Sequence, residues 1–505
     1  MESHCNWSAA GGQVFEIEMP AKYLRSFIKT IRRPTIGRFP SAAANFIMFA
    51  GLVLPNFVGA QSPRATEPVD VLDANSARVA TLFVPRSSIQ ASEVAVLVND
   101  NDPQSVEVAS YYQQVRNIPS RNMIHLNFDQ NKIYPGFTSN HGIDPAEFAA
   151  LKAQVDAAAG PEIQALVVSW SRPFRIAGFN YYATNYSITS AFTFGIDATY
   201  LNSNNCAATP LNRYYGSAST APYTDFGIRP TMMLAGESTA SVKATIDKGL
   251  KADRSLPGGN GWFVRTADNV RSAPRLQDFQ TTVQNWNHPE TLTMTYFDYL
   301  TNGRRSEVKN ATNILFYETG LANVSGLNTN TYVPGALADH LTSGGGILFG
   351  GEQMSVLRWL EAGVTASYGT VTEPCAHAEK FPAASVLVKN YFRGNTALEA
   401  YTKSVRQPSQ GVFVGDPLAK PFGTRATLVN GSLTIKTSSL EPGINYNLSS
   451  APSATGPFSK IATVAVPRYQ FATITVAGMS APFYKLELSG AYPTPSNAVA
   501  RPPSQ

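Results

Sequence analysis

Three short stretches of this 505-residue chain place reactive side chains close together. Glu373-Pro374-Cys375-Ala376-His377 sets a thiol two residues from an imidazole. A thiolate is a nucleophile, and a neighbouring imidazole lowers its pKa. The same cysteine also fits two quieter roles, a small buried hydrophobe or a disulfide partner of Cys206. Asp339-His340 sets a carboxylate beside an imidazole, which it orients or makes more basic where the two side chains meet in space. Alternatively His340 supports its loop through structural hydrogen bonds. Asn99-Asp100-Asn101-Asp102 offers two carboxylates and two amides, a donor set for a hard cation such as Ca2+, and equally the composition of a tight turn. The expected catalytic set is Cys375 with His340 or His377. The expected binding set is Asp100, Asp102, Asp339 and Glu373, and no cofactor is expected beyond Ca2+ near Asp100 and Asp102. Histidine is scarce, six in the whole chain, which makes His340 and His377 more informative than they would be elsewhere.

These residues need elements to position them. VAVLVN (94–99) is a short apolar run of the kind that forms a strand buried on both faces. NDNDP turns the chain, SVEVASYYQQVR (105–116) has helical spacing, and NMIHLNF (122–128) reads as a second strand. The alternation continues: helix 145–160, strand 163–170, strand 230–236, helix 241–255, strand 261–267, helix 276–287, strands 292–298 and 313–320. GALADHLTS (335–343) reads as a helix carrying Asp339 and His340, GGILFGG (345–351) as a strand, MSVLRWLEAG (354–363) as a helix and VTASYGTV (364–371) as a strand that delivers Cys375. Helices 385–394 and 396–405 follow. Strands alternating with helices predict one large doubly wound, mostly parallel α/β domain over 93–423, with an aromatic, Asn-rich insertion at about 171–228. Ligands of such sheets sit at the C-terminal ends of the strands. From 424 to 490 only strands recur, at intervals of 10–12 residues, with a hairpin on Asn430-Gly431; this predicts a small all-β sandwich. Residues 61–92 read as an exposed lead-in and 491–505 as a disordered tail.

Residues 1–60 read as a signal-peptide region. Lys22, Arg25, Lys29, Arg32, Arg33 and Arg38 precede the apolar run AAANFIMFAGLVL, and Val58-Gly59-Ala60 fits a signal-peptidase site. The run is shorter than the ~20 residues of a membrane span, so cleavage is expected and no transmembrane anchor after it. Met19 is an alternative start. Cleavage removes six basic and three acidic residues and takes the formal net charge from +5 to +2. No basic stripe then remains for nucleic acid. The charged fraction of 15% is low for a soluble domain and suits a chain that is periplasmic, at the cell surface or secreted. There is no GxGxxG or P-loop, no GxSxG elbow and no HExxH, so nucleotide binding, an α/β-hydrolase serine and a zincin site have no motif behind them.

The stretches VLVNDNDPQSVEVASYYQQVRNIPSRNMIHL (96–126), GALADHLTSGGGILFGGEQMSVLRWLEAGVTASYGTVTEPCAHAEKFP (335–382) and EAYTKSVRQPSQGVFVGDPLAKPFG (399–423) resemble an exported bacterial family, without assigned activity, found with exosortase-type protein-sorting systems. The same part of the chain is remotely similar to gingipain-like, caspase-fold cysteine peptidases. In those, one strand ends in His-Gly, the next near a catalytic cysteine, and a Gly-Ala strand and a "GDP" turn follow. Here FYETG (316–320) and ILFGGEQ (347–353) stand at the two reactive positions and hold neither residue, whereas WLEAGVTASYG (359–369) and VGDP (414–417) match. The resemblance implies either a non-catalytic, degenerate caspase-like scaffold or a site relocated to Cys375, His340 and His377. On the first reading the Tyr/Asn-rich insertion (178–223) binds an envelope protein or a glycan; on the second the chain is a cysteine peptidase-like hydrolase.

Overall fold

The computed structural model describes residues 66–134, 141–177, 186–197, 200, 206–286 and 291–490. The expected signal-peptide region (1–60) and tail (491–505) lie outside the described residues, as does part of the insertion.

Ten strands form one large sheet: β3 (Val94–Asn99), β4 (Met123–Leu126), β6 (Ala165–Val168), β8 (Thr231–Met233), β9 (Gly259–Arg265), β10 (Leu292–Asp298), β11 (Ile314–Thr319), β12 (Tyr332–His340), β13 (Ala366–Thr370) and β14 (Gly411–Gly415). Their order is β10-β9-β11-β12-β13-β14-β8-β6-β3-β4. Pairing is parallel within β10-β9-β11-β12-β13 and within β8-β6-β3-β4, whereas β14 is antiparallel to β13. Two-residue strands β5 (Gly142–Ile143) and β7 (Arg175–Ile176) pair beside it.

Helices cover both faces. α1 (Pro103–Arg116), α5 (Thr239–Ala252), α7 (Leu276–Trp286), α9 (Ala384–Phe392) and α10 (Ala397–Ser404) pack on one, and α2 (Pro145–Ala158), α3 (Ile188–Phe194) and α8 (Leu357–Ala362) on the other; α4 (Pro222–Phe226) and α6 (Asn269–Ser272) are short connections. This is why β3 is apolar without a break: Val94, Val96 and Val98 join the first core while Ala95 and Leu97 join the second. The doubly wound, mostly parallel α/β expectation thus holds. No helix among the described residues is long and apolar enough to cross a membrane.

Three expectations need correction. Residues 335–343 are not a helix: β12 runs through Asp339 and His340, in register with β11 on one side and β13 on the other. Ala and Leu favour a helix locally, but a fully buried slot between two strands overrides that preference. Residues 345–351, expected as a strand, are a turn-rich loop. The supposed lead-in 61–92 contains β1 (Thr66–Leu72) and β2 (Arg78–Pro85), whose Val69, Val71, Leu82 and Val84 are buried.

Those two strands join β15 (Arg425–Val429), β16 (Ser432–Thr437), β17 (Tyr446–Ala451), β18 (Ser459–Val464), β19 (Ala472–Val476) and β20 (Phe483–Leu488) in one eight-stranded sheet of order β18-β17-β20-β2-β1-β15-β16-β19. The strands of 424–490 therefore do not stand alone. β1 pairs parallel with β15 and β2 parallel with β20, and one continuous core runs from Leu448 and Leu486 through Val71 and Leu82 to Leu433 and Ile474.

Candidate functional site

β13 ends at Thr370 and hands the chain to the loop that carries Glu373, Cys375 and His377. Cys375 is disulfide-bonded to Cys206 in the insertion, across 169 residues. Cross-linking so long a span removes roughly 5 kcal/mol of chain entropy from the unfolded state. The bond also leaves Cys375 without a thiolate. The loop is tied locally as well: the Glu373 carboxylate accepts the Cys375 N–H at 2.7 Å, the His377 N–H donates to the Cys375 carbonyl at 2.8 Å, and the His377 side chain is exposed.

His340 is fully buried, and both ring nitrogens are engaged. Nδ1 accepts the Trp359 indole N–H at 3.0 Å, and Nε2 donates to the Met354 carbonyl at 3.0 Å. Burial draws its pKa down to about 4, so the ring is neutral at physiological pH, in the Nε2–H tautomer. A ring with both nitrogens committed to the fold is not available as a base. The expected pairing with Asp339 fails for a geometric reason. Consecutive strand residues face opposite ways, so His340 meets Trp359 while Asp339 turns to the other face.

There Asp339 meets Arg275, from the turn Ala273–Arg275 between α6 and α7. Arg275 Nη1 donates to Asp339 Oδ1 at 2.6 Å and to Glu318 Oε2 at 3.1 Å, and Nη2 donates to the Thr319 carbonyl. Glu318 and Asp339 are register partners on β11 and β12. All three side chains are at most 2% exposed. One guanidinium faces two carboxyls, and burial followed by the Asp339 charge pushes Glu318 well above the usual carboxylate range. The FYETG end of β11 is thus occupied by a buried charge cluster. The strand after it ends at His340, and ILFGGEQ lies beyond it in the loop.

Asp100 and Asp102 have separate tasks. Asp102 caps α1 by accepting the Gln104 N–H at 3.0 Å, and the exposed Asp100 pairs with His125 Nδ1 at 2.7 Å. Among the described residues no group of three or more His, Cys, Asp or Glu comes together to hold a metal ion.

Of the insertion's described aromatics, Phe174, Tyr186, Phe192 and Tyr214 are buried, whereas Phe194, Tyr200, Tyr215, Tyr223 and Phe226 are half-buried. Tyr186 and Phe192 pack in the α2/α3 core, and the Tyr214 hydroxyl donates to Glu399 at 3.3 Å inside the fold.

Loops after β6, β8, β12 and β13 meet along one edge of the sheet. Arg175 donates to the Val371 carbonyl, Arg358 pairs with Glu237 at 2.6 Å, and the Arg172 guanidinium stacks on the Phe349 ring with Cζ at 3.7 Å from its centroid. His141 lies alongside, its ring 5.0 Å from that of Phe174. Burial, then Arg175 and Arg172, lower its pKa to about 4. The sequence signal for this group is SWSRPFR (169–175), two arginines at the end of an apolar strand, which matches no catalytic or nucleotide-binding motif. Comparison of the chain with protein-family models, with curated proteins and with solved structures gives no match in any of the three.

Proposed function

We propose that the chain is an exported, non-catalytic protein on a degenerate caspase-like scaffold, acting by binding in the cell envelope or at the surface. The observation that carries this reading is the Cys206–Cys375 disulfide. Such bonds persist in oxidising compartments and are rare in reducing ones, and this one consumes the thiol of the expected catalytic set. His340, the nearest candidate base in the caspase-like order of elements, is neutral with both nitrogens hydrogen-bonded. The strand order β10-β9-β11-β12-β13-β14, with β14 antiparallel and ending in the Gly415-Asp416-Pro417 turn, supports the caspase-like reading.

The competing reading, a hydrolase using Cys375 with His340 or His377, requires a free thiol. Alkylation of the native chain followed by peptide mapping decides between them. Cys206 and Cys375 are expected to label only after reduction, with no hydrolysis of peptide or ester substrates before or after it. Labelling of native Cys375, together with turnover that disappears in Cys375→Ala, overturns the proposal.

A further inference from the structure

We infer that Arg172, Phe349 and His141 form a binding site for a carboxylate at the edge of the ten-stranded sheet where the loops after β6 and β12 meet. This rests on the binding-scaffold reading above and names the ligand class.

Arg172 is half-buried, and among the described residues its guanidinium has neither a salt bridge nor a hydrogen bond; its Nε is buried and unpartnered. A guanidinium needs acceptors when it leaves water, so a partly desolvated arginine without one marks a vacant partner position. Stacking on Phe349 fixes the plane of the fork and leaves its in-plane N–H groups free, the arrangement that suits a planar, bidentate acceptor. His141 Nδ1 is likewise buried without a partner. The neutral ring supplies one further donor or acceptor beside the fork.

The charge balance points the same way. Stretches 170–196 and 340–351 contain no Asp or Glu, yet they hold Arg172 and Arg175. Glu237, the acid whose charge reaches Arg172, is paired instead with Arg358, which it shares with Glu361. An anion completes this site, and planar stacking favours a carboxylate over a tetrahedral phosphate.

The test is calorimetric titration of the full chain with benzoate, benzamide, inorganic phosphate and a C-terminally amidated peptide containing one glutamate. Benzoate and the peptide distinguish a free carboxylate from a side chain on a larger partner. Binding of benzoate or the peptide, absent with benzamide and weaker with phosphate, is expected. Arg172→Gln should lower that affinity by roughly tenfold or more and Arg172→Lys by less, since only arginine offers the fork. Lys436→Gln, in the other sheet, should change nothing. Equal binding of benzamide, preference for phosphate, no binding by any probe, or full affinity in a folded Arg172→Gln overturns the site. None of those outcomes touches the scaffold reading, which fails only through thiol-dependent turnover.

Discussion

Two buried clusters in this molecule have the same composition, one arginine and two carboxyls, and behave differently. At the N-terminal edge of β13, Arg116 bridges Asp253 and Asp416. Asp416 also accepts from the Tyr112 hydroxyl at 3.3 Å and the Leu418 N–H at 3.2 Å, and Asp253 accepts the Lys420 N–H at 2.9 Å with a third of its side chain in solvent. Gly249 makes room for this, since a Cβ there would overlap the Asp416 carboxylate. At the opposite ends of β11 and β12, Arg275, Glu318 and Asp339 have no solvent, and Glu318 Oε1, Asp339 Oδ2 and Arg275 Nε have no partner. The first cluster ties the ends of α1 and α5 to the turn after β14. In the second, both carboxyls are shut away from water against one guanidinium, so burial and then the Asp339 charge make Glu318 keep its proton well above the ordinary range. Backbone donors and water at the margin, not the list of charges, decide whether such a cluster is a staple or a proton store.

The sharpest way to break the comparison is to remove each arginine. Arg275→Met leaves two adjacent buried carboxyls and should cost roughly 3–5 kcal/mol in urea unfolding. Arg116→Met should cost less, because Asp253 reaches water; equal losses would erase the distinction. Glu318→Gln should act in the opposite direction. The folded carboxyl holds a proton that the unfolded chain releases near the ordinary glutamate value, so wild-type stability falls as pH rises through that window and stays reduced above it. The neutral amide avoids that loss. The variant should therefore be the more stable protein at about pH 8, with the gap closing toward about pH 5; a gap that widens on acidification would mean Glu318 is ionised in the fold. Tyr112→Phe tests the first cluster most gently. It removes one hydrogen bond to Asp416 and should cost about 0.5–1.5 kcal/mol with no new pH dependence.

The parts of the fold written in local pattern were legible. β3 declares itself in VAVLVN, and the β15–β16 hairpin in Asn430-Gly431, both of which adopt the positive φ the turn demands. β12 was not legible, because what makes it a strand is its slot between β11 and β13. β1 carries a clear alternation, buried at Glu67, Val69 and Val71, but a segment holding Glu67, Pro68 and Asp70 reads as exposed, and β15, which pairs with it, and β20, which pairs with β2, lie at the far end of the chain. For the site, sequence proximity misled. Cys375 and His377 are neighbours in the chain yet share no chemistry, and Asp339 and His340 face apart. The groupings that form, Arg275 with Glu318 and Asp339, and Arg172 with Phe349, join residues that no spacing rule connects. The one long-range link left open by sequence, Cys206 with Cys375, is the one the structure closes.

The placing of β1 and β2 bears on how the molecule is assembled. They sit between β20 and β15, and without them the eight-stranded sheet would be two three-stranded fragments, β18-β17-β20 and β15-β16-β19. At roughly 5–20 residues per second, a ribosome releases this hairpin tens of seconds before any strand that flanks it. For that interval its paired edges are open to any other extended segment. Among the described residues these are the strands that wait longest for their neighbours, so synthesis leaves their edges an aggregation hazard in the meantime.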